Sequence, residues 1–93
     1  MSTVLARPTN GVSYGLRYVV TSDDVGTPMT FDFQVDYDLV ASVMITDASG
    51  VMVDMSDAVI TYPAAGQVQI EDGASTFAFA QDQVVHIVAQ RAA

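Results

Sequence analysis

Between Met29 and Ile45 the odd positions read Met29, Phe31, Phe33, Val35, Tyr37, Leu39, Ala41, Val43 and Ile45, while the first even positions are Thr30, Asp32, Gln34, Asp36 and Asp38. A strand turns successive side chains to opposite faces, so this run describes extended chain with one apolar face and one wet face. A helix would scatter the same residues around its circumference. The run exceeds the usual ~3–10 residues of a strand, which predicts a bend or bulge near Asp36–Asp38. Beyond the bend Val40 and Met44 make the even side apolar as well, which predicts cover on both faces there.

The rest of the chain has the same period. Tyr14, Leu16, Tyr18 and Val20 alternate with Ser13, Gly15, Arg17 and Val19, and Ser22-Asp23-Asp24-Val25-Gly26-Thr27-Pro28 supplies turn chemistry before the long run. Asp47-Ala48-Ser49-Gly50 reads as a hairpin turn into Val51–Met55. Strands are then expected at Ala58–Tyr62, Val68–Ile70, Thr76–Ala80 and Gln83–Ala89, separated by Pro63-Ala64-Ala65-Gly66 and Glu71-Asp72-Gly73. Seven or eight short strands with frequent turns predict an all-β domain, a small antiparallel β-sandwich or barrel. Its expected core is Phe31, Phe33, Val35, Leu39, Val43, Ile45, Ile60, Val68, Ile70, Phe77, Phe79, Val85 and Ile87. Residues 1–12, with Pro8 and Asn10-Gly11, lack alternation and are expected to form an extended N-terminal arm outside the sheet, leaving 13–93 as the single β domain.

A chain of 93 residues buries only about 60–65% of its unfolded surface. Small folds add disulfides, metals or oligomerisation, and here there are no cysteines and one histidine. The composition is 51% apolar, yet no stretch approaches the ~18 residues of a membrane span. The opening residues show neither the basic start nor the apolar segment of an export signal. A domain expected to be soluble, with surplus apolar surface, is expected to form a homo-oligomer, a trimer or dimer, or to dock on a larger shell.

Charge narrows the partner. Three Arg and no Lys face ten Asp and one Glu, a net charge of −8. Phosphate backbones and anionic membranes both demand cations, so neither nucleic acid nor membrane is an expected partner. Arg7 and Arg17 precede every acid, all acids fall between Asp23 and Asp82, and Arg91 follows them.

No catalytic, cofactor or metal constellation stands out. His86, in Val84-Val85-His86-Ile87-Val88, has no activated nucleophile marked in sequence, and no Gly-x-Ser-x-Gly elbow is present. It reads as a strand histidine. Asp36 and Asp38 share a strand face and invite an acid pair or a Ca²⁺ site, and the Asp47 loop with Asp54 and Asp57 faintly resembles an oxygen-rich metal loop. The loop lacks the alternating acids and terminal Glu of an EF-hand. Asp23, Asp24, Asp47, Asp72 and Asp82 lie at turns, where carboxylates bond local N–H groups. Phe31/Phe33 and Phe77/Phe79 read as core, Met29, Met44, Met52 and Met55 as adaptable packing, and Tyr14 with Tyr18 as the one candidate platform for a sugar.

Four segments carry a family resemblance: Asp38-Leu39-Val40-Ala41-Ser42-Val43, Asp47-Ala48-Ser49-Gly50, Ile60-Thr61-Tyr62-Pro63-Ala64-Ala65-Gly66-Gln67-Val68 and Val84-Val85-His86-Ile87-Val88-Ala89-Gln90-Arg91. The chain resembles small virion proteins of tailed bacteriophages, above all capsid decoration (cement) proteins. The resemblance covers roughly two-thirds of the chain. It implies a non-enzymatic structural protein on the capsid exterior, made in the host cytoplasm, whose partner is the major capsid protein or another shell subunit. In that reading Val4, Leu5 and Arg7 of the arm are the candidate partner-binding residues. The alternative is a small carbohydrate- or receptor-binding β module.

Overall fold

The computed structural model describes residues 2–5 and 13–92. Among them are seven strands: β1 (Ser2–Leu5), β2 (Ser13–Val19), β3 (Met29–Asp32), β4 (Leu39–Thr46), β5 (Val59–Thr61), β6 (Gln67–Glu71) and β7 (Val84–Arg91). A single 3-10 turn, Ser22–Asp24, is the only helical element described. The strands form a four-stranded sheet, β1-β3-β6-β5, and a three-stranded sheet, β2-β7-β4. This is the expected all-β, sandwich-like architecture.

The long alternating run explains how one chain serves both sheets. β3 ends at Asp32, residues 33–38 cross over, and β4 begins in the other sheet at Leu39. Inward phase survives the crossing: Phe33 is buried and Val35 and Tyr37 pack on the core, while Gln34, Asp36 and Asp38 are exposed. Gln34 adopts a positive φ of 61°, and its N–H donates to the Asp32 carboxylate at 2.8 Å. Gly66 clamps the corner. Its carbonyl accepts from Phe33 N at 2.9 Å and its N–H donates to the Tyr37 carbonyl at 2.8 Å. With φ at +75° and Val35 backbone where a β-carbon would sit, that position suits glycine alone.

The core lies between the sheets and contains Phe31, Phe33, Leu39, Ile45, Val68, Ile70, Phe77, Phe79, Val85 and Ile87, all expected. Tyr14, Val20, Met29 and Ala89 complete it. Val35 and Val43 are only partly buried, and Ile60 is 38% exposed because β5 is a three-residue strand at the edge of its sheet.

Three local expectations change. Ser2–Leu5 are not outside the sheet: β1 pairs in parallel with β3, Ser2 opposite Met29 and Leu5 opposite Asp32. The parallel ladder supplies main-chain partners that a four-residue segment needs no long alternation to use. Residues 6–12 lie outside the described residues. Val51–Met55 contribute only a bridge, Thr46 to Met52, rather than a strand. Thr76–Ala80 form no ladder, because side chains replace the strand partners: Asp57 takes the N–H groups of Ser75, Thr76 and Phe77, and Asp72 takes that of Phe79. Phe77 and Phe79 still turn inward, with ring centroids 5.0 Å apart in an edge-to-face pair.

Candidate interaction surface

The two sheets present opposite chemistry to the outside. Antiparallel pairing places Arg17 beside His86 and His86 beside Met44; Val19 beside Val84 and Val84 beside Thr46; Gly15 beside Val88 and Val88 beside Ser42. These side chains share the outer face of β2-β7-β4, because Tyr14, Val85, Ile87, Ala89, Leu39 and Ile45 occupy the alternate, buried positions. Val40 continues the face beside Gln90, and Met52 extends it beside Thr46. Val19 is 44% exposed, Val40 57%, Met44 40%, Val88 54% and Met52 68%, so this sheet turns exposed apolar side chains outward among Arg17, Ser42, Thr46, His86 and Gln90. The expected cover over Val40 and Met44 is not provided: both are exposed.

No outward position of these three strands is Asp or Glu, in a chain with eleven acids. The face carries Arg17 as its one fixed charge, and His86, whose Nε2 lies 3.4 Å from the Thr46 hydroxyl. Arg17 makes no ion pair among the described residues, whereas the Arg91 guanidinium stacks on the Tyr37 ring, 4.7 Å from its centroid.

The other sheet is polar along the middle of its outside, with Leu5 and Val59 exposed on its β1 and β5 edges. Thr30, Gln69 and Thr61 align across β3, β6 and β5, with Gln69 Nε2 donating to the Thr30 hydroxyl at 3.1 Å and the Thr61 hydroxyl donating to Gln69 Oε1 at 3.4 Å. Asp32, Gln67 and Glu71 flank that row. Its wet surface is the ordinary outside of a half-buried antiparallel sheet.

The acids act mainly on backbone. Asp47 accepts from Ser49 and Val51 N–H groups at 2.8 and 3.0 Å, closing the hairpin turn, and Asp54 accepts from Ser56 at 2.9 Å. Three N–H donors, Ser75 first, hold the Asp57 carboxyl below the usual carboxylate range. Asp24, buried, accepts from the Tyr18 hydroxyl at 2.7 Å and from Thr21 N and Oγ1 at 2.9 and 3.0 Å. Burial, followed by the neighbouring Asp24 carboxylate, pushes the Tyr18 phenol up. Asp36 and Asp38 stand exposed in the crossover. Among the described residues no three His, Asp or Glu side chains gather where a metal could sit, and no pocket opens.

The remaining sequence candidates separate. Tyr14 is 1% exposed and Tyr18 half-buried, so together they are not an exposed sugar platform. Val4 packs against the core of its own domain, Leu5 points outward at 67% exposure, and Arg7 lies outside the described residues. Arg17, Met44, Met52 and Val88, which the structure assembles on one face, come from three strands and a flanking bridge. The only sequence signal for them was the apolar even side at Val40 and Met44. No protein-family model matches this chain, and no curated protein or solved structure matches it either.

Proposed function

We propose that this chain is a non-enzymatic virion structural protein, a decoration protein that binds the exterior of a phage head shell and stabilises it by bridging neighbouring subunits. The observation that supports an assembly role is the outer face of β2-β7-β4: apolar, free of carboxylates, and presented by a chain of net charge −8. Large exposed apolar patches mark interaction sites, and depletion of charge distinguishes the centre of a contact surface. The family resemblance supplies the class of assembly, a virion shell.

Such a protein works by mass action. A copy that binds only the assembled shell adds stability as RT ln(1 + [L]/Kd), about 2.7 kcal/mol per site at a hundredfold excess over Kd. Catalysis has no part in this scheme. The test is to purify phage-like particles from the host that carries the gene, then image them and determine their protein composition. The proposal expects this chain in regularly spaced copies on the head exterior, and shells stripped of it to break at lower temperature. Particles that lack the chain, or that hold it only inside the head, contradict it.

A further inference from the structure

We infer that the outer face of β2-β7-β4 is covered by a second copy of this chain, in a face-to-face dimer whose two-fold axis runs along β7. The dimer is measured on the protein alone, and because it covers this face, a dimer attached to a shell would hold it through the rest of its surface.

Two chains of net charge −8 repel one another, and acids cover the crossover, the turns and the outside of the other sheet. The outward positions of β2, β4 and β7 carry none. Meeting through this face keeps the carboxylates of both copies at the rim, where water and salt screen them.

Sheet packing fixes the orientation. Two sheets packed face to face keep their strands within about 30° of alignment, roughly 10 Å apart. An axis along β7 lays β2 of one copy over β4 of the other. Residues of one cross-strand row stay level, so Arg17 lies over Met44 of the second copy. Just beyond that β4 runs the segment that bridges Met52 to Thr46, where Val53 N donates to the Ile45 carbonyl at 2.8 Å. Asp54 follows, exposed, and extending that pairing by one residue pair sets it level with the Met44 row. One strand spacing of ~4.8 Å separates the column of Met44 from that of Asp54, within the reach of an arginine side chain. Arg17, unpaired among the described residues of its own chain, thereby gains a carboxylate, twice per dimer. An axis across the strands would instead stack β2 on β2 and bring the two Arg17 guanidiniums together without an anion between them.

Three strands of seven or eight residues make a face of about 14 × 26 Å. Side-chain relief and Met52 add to that plan area of roughly 360 Å², and the contact stays below the ~800 Å² per partner of a standard interface. A contact of that size makes a weak, reversible dimer rather than an obligate one.

The experiment is analytical ultracentrifugation of the full chain from low micromolar to millimolar concentration, with four variants. Val88→Asp puts a carboxylate at the centre of the face in both copies and should weaken the dimer by roughly a hundredfold or more. Ser42→Glu, on the same row, serves if Val88→Asp loses its β-sheet circular dichroism. Thr61→Asp, outside the other sheet, should leave the dimer unchanged. Arg17→Asp should weaken it by about tenfold or more, and Arg17→Asp with Asp54→Arg should restore most of the loss. A monomer at millimolar wild-type concentration overturns the proposal, as does a dimer indifferent to both face variants. Failure of the exchanged pair to recover overturns the orientation along β7.

Discussion

The carboxylate of Asp57 accepts the backbone N–H of Phe77 at 2.8 Å, and through that bond a turn between β4 and β5 holds a segment without strand partners against the core. Ser75 and Thr76 donate to the same carboxylate at 2.9 and 2.8 Å. Because these donors lower the carboxyl's pKa in the folded state, the stability they add is present above the unfolded value and lost as pH falls through the folded one. Asp57→Asn should therefore lower the urea midpoint at neutral pH, and the gap to wild type should close as acidification carries the carboxyl below its lowered folded-state pKa. Urea titrations across that range check it. A gap that persisted unchanged into acid would mean the carboxylate charge is not what holds the loop.

The pair Phe77 and Phe79 should behave as core although no ladder holds them. Phe77→Ala is expected to cost about 3–5 kcal/mol, a large part of the about 5–15 kcal/mol a small domain possesses. Ile60→Ala, on the edge strand and 38% exposed, should cost less than about 2 kcal/mol. Denaturant midpoints of the two variants, compared at matched slope, measure the difference.

These contrasts show where sequence reasoning reaches and where it stops. Period-two alternation located most of β2, β4 and β7 and ten of the buried residues, since a strand's faces follow from parity alone. It could not reveal that the run from Met29 to Ile45 changes sheets, because the corner keeps parity; only Gly66 and the positive φ of Gln34 show how. It overstated Thr76–Ala80 as a strand, because a segment tied down by Asp57 and Asp72 alternates just as a ladder strand does. The outward face was legible only in part. Val40 and Met44 stood out in sequence, but their alignment with His86, Arg17 and Val88 depends on a register linking residues over forty positions apart.

At Gly66 two effects combine. Alanine there would hold the left-handed φ at about 1–2 kcal/mol and would overlap the Val35 backbone, adding roughly 1–3 kcal/mol. Gly50→Ala, also at positive φ but with open space around it, should show the first cost alone. Equal urea midpoints for the two variants would contradict the clamp at the corner.

Removal of residues 1–5 distinguishes an integral strand from a free arm. β1 pairs with β3 along four residues and Val4 rests on the core, so the truncated chain should lose on the order of 1–3 kcal/mol. An unchanged melting temperature would show that the segment contributes nothing to the domain.

The central claim is that the carboxylate-free face of β2-β7-β4 is an assembly surface, and intermolecular contacts between methyl groups test it most directly. In a mixture of isotope-labelled and unlabelled protein at millimolar concentration, filtered nuclear Overhauser spectra should show cross-peaks between copies at Val88, Val40 and Met44. Thr61, exposed on the other sheet, should show none. Cross-peaks confined to the threonine face, or absent from Val88 and Met44 in a sample that sediments as a dimer, would contradict the account.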